Sequence, residues 1–156
     1  MITILDLRQE PQHLETLAQW HHNEWAHYNP GENLQQRIER MQTYLNAAFI
    51  PSTFIATDNK LVGSAAIVAH DMETRPELSP WLSSVYIEPE SRYRGTGRQL
   101  VHHVMEKAKN SGIKTLYLFT PDKEVFYEKL GWEIICKEPY HGQPVSIMKV
   151  RLNNIK

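Results

Sequence analysis

The sequence predicts an α/β domain built on one mixed sheet with helices on its faces. Segments with strand-like alternation and segments with helical spacing follow one another in the order β-α-α-β-β-β-α-β-α-β-β. Two turn signals, Asp58-Asn59 and His141-Gly142, join neighbouring strand runs as hairpins. No repeat, low-complexity tract or linker interrupts the 156 residues, so residues 1–156 read as a single domain.

"TILDLR" alternates apolar and polar residues and is expected to be the first strand. Pro11 suits the first turn of a helix, and Leu14, Leu17, Ala18, His21 and Trp25 follow at helical spacing. Asn29-Pro30-Gly31 breaks that helix. The stripe Leu34, Ile38, Met41, Leu45, Ala48 and Phe49 predicts a second helix, which Pro51 stops. "STFIAT" and "KLVGSAAIVA" are strand runs on either side of Asp58-Asn59, and the polar loop "HDMETRPELSP" delivers the chain to a fourth strand, "WLSSVYI". Leu100, Val101, Val104, Met105 and Ala108 form the apolar face of a third helix that Gly112 ends. "TLYLF" is a short strand, Thr120-Pro121 opens a helix through "DKEVFYEKL", and Gly131 terminates it. "WEIICKEPY" and "PVSIMKVRL" then pair as a closing hairpin, with a slip in apolar phase between Ile147 and Met148 that predicts a bulge.

Composition narrows the function. Hydrophobic residues make up 41% and charged residues 22%, with a net charge of -1, the balance of a soluble globular chain. A slightly acidic chain argues against a nucleic-acid partner. No basic region precedes a long apolar run in "MITILDLRQE", and no apolar stretch is long enough to span a bilayer, so neither a signal peptide nor a membrane is expected. Cys136 is the single cysteine, which excludes an internal disulfide and a cysteine zinc site and makes the cytoplasm the expected compartment. It lies in an apolar strand run, as a packed thiol does. The eight histidines include adjacent pairs that point to different sides of a helix, but no i, i+4 pair with a carboxylate, so no metal is expected. His21 lies on an apolar face, where a satisfied core histidine is the expectation.

The stretch with chemical content is "VYIEPESRYRGTGRQLVHHV", residues 85–104. A strand feeding through a glycine-rich turn into a helix creates an anion site, because the first helical amides lack partners and the positive end of the helix dipole lies behind them. Gly95 and Gly97 are expected to take positive φ and to let an anion approach the backbone, with Arg92, Arg94 and Arg98 adding charge. A Rossmann loop would need a third glycine where Leu100 stands, and the Gly-Lys-Ser/Thr of a Walker loop is absent.

The combination of "VYIEPESRYRGTGRQL" with "LYLFTPDKEVFYEKLGW" resembles the GNAT superfamily of acetyl-coenzyme A dependent N-acetyltransferases. Arg92-Tyr93-Arg94-Gly95-Thr96-Gly97 matches that family's Q/R-x-x-G-x-G/A pyrophosphate loop. Phe126-Tyr127-Glu128-Lys129-Leu130-Gly131-Trp132 matches its F-Y-x-x-x-G-F/W segment. The likeness covers residues 50–152 closely, and the amino-terminal helices by their number and order.

The resemblance implies a GNAT fold with a mixed six- to seven-stranded sheet, about four helices, and a fourth strand splayed from the fifth. It implies acetyl-coenzyme A as cosubstrate, with pantetheine amides paired to backbone at Val85, Tyr86 and Ile87 and the pyrophosphate held by residues Arg92 to Arg98. Tyr127 matches the tyrosine that many members aim at the thioester sulfur. A phenol of pKa about 10 gives its proton to a thiolate of pKa about 8.5 only uphill, so hydrogen-bond donation is the expected role.

An amine must be neutral to attack, and at pH 7 a lysine amine of pKa about 10.4 is free only about once in a few thousand molecules. Glu24 and Asp71 lead the candidates for a base, ahead of His70, Glu73 and Glu88, and a water chain to backbone could serve instead. Trp25, Trp81 and Tyr140 are expected on the acceptor side. The implied reaction is acetyl transfer to a primary amine, small-molecule or protein-borne, by direct attack in a ternary complex. The alternative is a non-catalytic acyl-coenzyme A sensor on the same fold, and both monomer and homodimer stay open.

Overall fold

The computed structural model describes residues 1–154. Seven strands form one sheet: β1 (Thr3–Asp6), β2 (Ser52–Thr57), β3 (Leu61–Val68), β4 (Trp81–Ile87), β5 (Thr115–Thr120), β6 (Glu133–Tyr140) and β7 (Gln143–Arg151). Their order is β1-β2-β3-β4-β5-β7-β6. All neighbours run antiparallel except β4 and β5. Four α-helices accompany the sheet: α1 (Leu14–Trp25), α2 (Leu34–Gln42), α3 (Thr96–Asn110) and α4 (Glu124–Glu128).

The side-chain alternation of β2 shows how the layers divide. Phe54 and Ala56 share a buried cluster with Leu100, Val104 and Met105 of α3, whereas Ile55 between them packs with Leu17 of α1 and Ile38 of α2. One face of the sheet therefore carries α3 and the other carries the α1–α2 pair. The five apolar residues of the α3 stripe are wholly buried, and Leu100, Val101, Val104 and Met105 each contribute about 1.5–3 kcal/mol by area bookkeeping. The helix ends as its glycine predicts: Gly112 takes φ 88° and the Ile113 amide returns to the Ala108 carbonyl at 3.0 Å.

Four expectations are corrected. β1 stops at Asp6 rather than Arg8, because Asp6 and Gln9 form a reciprocal cap around a 3₁₀ turn. The second helix does not reach Phe49. It stops at Gln42, and the Arg8 guanidinium takes the carbonyls of Asn46 at 2.6 Å, Ala48 at 2.6 Å and Pro51 at 3.0 Å, a tertiary capture that holds residues 46–51 out of helix. The fourth helix is short, since Thr120 Oγ1 accepts the Lys123 amide at 3.0 Å and fixes residues 121–123 as a turn. The bulge near Ile147 and Met148 lies in the facing strand: Ile134 pairs with Met148 and Cys136 with Ile147, leaving Ile135 as the extra residue.

Candidate active site

The parallel pairing of β4 and β5 consists of one register pair, Trp81 with Tyr117, beside which the Tyr117 amide reaches the Pro80 carbonyl at 3.1 Å. Beyond it the strands part. Residues 82–87 keep their pairing to β3, but the register shifts between Ser64 and Ala66, and Ser84 on β4 sits at φ 53°. A bulge bends and twists the strand that carries it, which turns the end of β4 away from β5. The result is a cleft of roughly 880 Å³ running between the two strands. Val85, Tyr86 and Ile87 line it, as expected, with the backbone of β4 unpaired on that side.

One end of the cleft meets the amino terminus of α3. No side chain caps this helix, and its first carbonyl-to-amide bond is Gln99 to Gly95 at 3.1 Å, so the preceding amides are free to face an anion. Gly95 takes φ 82° with open space where a Cβ would stand, and Tyr93 takes φ 66° with its ring fully exposed. Gly97 departs from expectation. It lies inside the first turn of α3, and a Cβ there would meet Phe126 Cζ at 3.6 Å and Ile87 Cγ1 at 3.8 Å, ordinary contact distances. The loop's left-handed residues are Tyr93 and Gly95, and a side chain at Gly97 would stand at the cleft wall. Arg92 braces the loop: Nε donates to the Ile87 carbonyl at 2.8 Å, and the guanidinium sits 5.5 Å from the centre of the Tyr86 ring. Thr96 and Arg98 line the cleft, whereas Arg94 is exposed and outside the lining.

Tyr127 lines the same cleft from α4 and is 8% exposed, wedged edge-on against Phe126 and Trp132. Among the described residues its hydroxyl has no hydrogen-bond partner, and burial pushes its pKa well above that of free tyrosine. The group therefore stays protonated as a donor, and full proton release is even less favourable than for a free phenol.

The other end of the cleft lies between α1, α2 and the β3–β4 connection. Asp71 lines it half-buried and accepts from Ser83 Oγ at 3.0 Å. Burial outweighs that bond and raises its pKa to about 6. Glu24 is exposed at the rim, and Trp25 beside it stands edge-on to Tyr86 with ring centres 5.9 Å apart. Tyr140 closes the floor: it stacks on Tyr28 at 5.5 Å, and its hydroxyl donates to Glu73, whose other oxygen holds His141 Nε2 at 2.7 Å. Glu73 and Glu88 are engaged elsewhere, the latter with Lys60 at 2.8 Å, and neither lines the cleft, while His70 does. Trp81 does not line it either. It is completely buried beneath the floor, packed with Tyr28, Val68 and Ile147, with its indole N–H donating to the Leu78 carbonyl at 2.7 Å.

Sequence reasoning missed Arg37, which lines this end of the cleft at 4% exposure. The signal was present: Arg37 lies three residues after Leu34 and four before Met41, on the apolar stripe of α2. Its Nε and Nη2 are buried without hydrogen-bond partners, and its nearest anion, Glu32 Oε1, is 3.5 Å from Nε. Glu32 is committed to Arg40, whose guanidinium donates to both carboxylate oxygens at 2.7 and 2.9 Å. Among the described residues no cluster of three or more His, Cys, Asp or Glu side chains converges as a metal centre does.

Residues 51–134 match the model of the acetyltransferase (GNAT) domain, a span from β2 into β6 that contains the splayed strands, the arginine-glycine loop and Tyr127. The chain belongs to the GNAT acetyltransferase family. Solved GNAT-fold structures agree along nearly its whole length. An aminoglycoside 6'-acetyltransferase type Ii is 24% identical with a TM-score of 0.73, covering 97% of each chain. An aminoglycoside 6'-N-acetyltransferase complexed with coenzyme A is 20% identical with a TM-score of 0.71, again over 97% of each. These likenesses concern the fold. A curated relative, the amino-acid acetyltransferase of Aeromonas salmonicida (strain A449), is 27% identical over 117 residues, which are 75% of this chain and 24% of that protein. The chain thus matches about a quarter of the relative's length. As a GNAT acetyltransferase it has the expected mixed sheet of seven strands with four α-helices. No helix among the described residues is long and apolar enough to cross a membrane.

Proposed function

We propose that the chain transfers the acetyl group of acetyl-coenzyme A to a primary amine by direct attack in a ternary complex. One observation carries this reading: the uncapped amides of α3, the unpaired backbone of β4 and the Tyr127 hydroxyl all open onto one continuous cleft. The donor set fits the coenzyme. Free helical amides suit a pyrophosphate, and the unpaired edge of an extended strand suits a chain carrying amides of its own. Acetyl-coenzyme A supplies an activated thioester whose sulfur leaves as a thiolate.

The chain's residues then have separable tasks. Val85, Tyr86 and Ile87 offer main-chain groups to the pantetheine arm, and the loop Arg92 to Arg98 offers amides to the pyrophosphate, with Arg92 bracing the loop and Arg98 adding charge. Tyr127 donates a hydrogen bond to the sulfur as negative charge develops, a donor fixed by packing and therefore already oriented. Asp71 accepts the proton of the incoming ammonium. Its pKa of about 6 makes it a stronger base than an ordinary carboxylate while leaving it ionised near neutrality. Glu24 at the rim is the second candidate. Trp25 and Tyr140 shape the acceptor end. The sensor reading has no specific observation in its favour, since a buried, protonated Tyr127 with a free hydroxyl is an arrangement that binding alone does not need.

The test is a thermal-shift titration with acetyl-coenzyme A against NADH and ATP, followed by release of free thiol in the presence of an amine panel. At about one hundred times the Kd a bound ligand stabilises by roughly 2.7 kcal/mol, about 5–11 °C for a domain of this size. A shift confined to the coenzyme together with amine-dependent thiol release is expected. A shift without turnover on any amine would leave a sensor, and no shift would overturn the coenzyme site.

A further inference from the structure

We infer that the acceptor amine also carries an anionic oxygen group, and that Arg37 is the residue that receives it. The inference rests on the acetyltransferase reading above and names the substrate class of that site. Its starting point is an imbalance. A buried guanidinium ordinarily has its five N–H donors satisfied, because a buried donor without a partner retains its desolvation cost. Arg37 is 4% exposed, yet Nε and Nη2 have no hydrogen-bond partner, and the carboxylate paired with it, Glu32 at 3.5 Å from Nε, is held at both oxygens by Arg40. Burial and the charge of Arg40 both oppose the charge on Arg37, and Glu32 offsets them only in part.

A site that holds a cation this way is prepared for an anion. Arg37 and Arg40 line the acceptor end of the cleft together with Tyr44 and Asp71. A planar guanidinium with free, adjacent N–H groups matches the two oxygens of a carboxylate, and it also accepts a phosphate. Asp71 stands within electrostatic reach of both arginines and lies on the side where the amine must shed its proton. An acceptor with an ammonium at one end and an oxyanion at the other would meet both charges in the correct sense. A polycation would meet the two arginines directly, and of the acids among the described residues that line the cleft, Glu24, Asp71 and Asp122, Glu24 is exposed at the rim. A zwitterionic acceptor is therefore the better match to Arg37 and Asp71 together.

Arg37 is a specificity-determining residue on this reading, and its removal is separable from folding. A buried, unsatisfied charge is a net cost to the native state, and an apolar replacement of similar length is often neutral or stabilising. Arg37→Met should unfold at the same or a higher temperature than the wild type and should keep its thermal shift with acetyl-coenzyme A.

The experiment measures kcat/KM with matched acceptors: an amino acid, its amide, its decarboxylated amine, a phosphorylated amine of similar length, and spermidine. The wild type is expected to prefer an anionic member of the set over its neutral counterpart by about 100-fold, the range for leaving a buried charged donor unpaired. In Arg37→Met that preference should collapse toward unity, and Arg37→Lys should restore part of it. The carboxylate and phosphate arms decide which oxyanion is read. Equal use of anionic and neutral amines by the wild type, a preference for spermidine, or a preference that survives in Arg37→Met would each overturn the inference while leaving the transferase reading intact. Absence of transfer to every amine, including the neutral ones, would instead fall on the transferase reading and take the inference with it.

Discussion

His21 Nε2 lies 2.8 Å from Ser64 Oγ, and the same Oγ lies 2.9 Å from the carbonyl of Ser84. A serine has one hydroxyl proton, and a carbonyl can only accept, so Ser64 donates to Ser84 and accepts from His21. The ring is thereby fixed as the neutral tautomer protonated at Nε2, in keeping with a burial that lowers its pKa to about 3. α1 is thus tied through β3 to the bulge of β4 that opens the cleft. The core histidine foreseen on the apolar face of α1 is there, and it has a structural task.

Replacing His21 by Leu should cost about 1–3 kcal/mol in urea denaturation, from the lost hydrogen bond and imperfect packing. The pH dependence is more specific. A base whose folded pKa lies below the ordinary 6.5 contributes stability that is complete above pH 6.5 and is lost as pH falls toward 3. Within that window the wild type should lose up to about 1.4 kcal/mol per pH unit relative to His21→Leu. Parallel stability profiles for the two proteins would show that the ring protonates freely in the folded state.

Gly97→Val separates the coenzyme site from the fold. The new Cβ has ordinary contact space against Phe126 and Ile87, so the fold should survive the substitution with a modest shift in melting temperature. It would stand beside the free amides of α3, however, and the thermal shift with acetyl-coenzyme A should vanish. Arg94→Ala, outside the cleft, should weaken binding less than about tenfold, as removal of an exposed charge does. Equal losses from the two would place the recognition in side-chain charge instead of backbone.

Tyr127→Phe removes the donor and keeps the ring packing against Phe126 and Trp132. Turnover should fall by less than the roughly 10²- to 10⁴-fold range of general acid–base groups, with coenzyme affinity unchanged. An unaltered kcat would take Tyr127 out of the reaction.

Asp71→Asn tests the proton acceptor. In the wild type, log kcat/KM should climb with a slope of one below about pH 6, where Asp71 loses its proton. It should then level off up to the pKa of the amine, because the ammonium form itself hands its proton to Asp71. The variant should show a slope of one throughout and a rate lower by about 10² at neutral pH. The wild type's stability relative to the variant should respond in the opposite sense, because an acid whose folded pKa is raised stabilises the fold less as pH rises from about 4 to 6. A retained break near pH 6 in Asp71→Asn, lost in Glu24→Gln, would move the role to Glu24.

Most of the fold was legible because its signals are local. The α3 stripe, Gly112, Gly131 and the two hairpin turns each act through backbone conformation or burial within a few residues of themselves. The misreadings share a different cause. The second helix falls short of Phe49, and residues 46–51 instead follow a path fixed by Arg8, nearly forty residues away in sequence, whose guanidinium binds the Asn46 and Ala48 carbonyls. Trp81 looked like a pocket aromatic because nothing in "PWLSSVYI" tells which side of β4 faces the floor. In the site, the loop and Tyr127 were found through their spacing, but Arg37 was passed over. A charged residue on an apolar stripe reads as a solvated interruption until its neighbours are seen to leave it dry and unpaired.

The parting of β4 from β5 has a consequence for the chain's life among other proteins. Strand edges with unpaired amides and carbonyls recruit foreign strands, and exposed ones are guarded by charges, prolines or bulges. In this sheet two such edges lie in the middle, facing each other across the cleft, each on a strand whose other side is paired within the sheet. Unpaired strand backbone is thus kept inside the sheet, available to a small extended partner, in addition to the rims at β1 and β6.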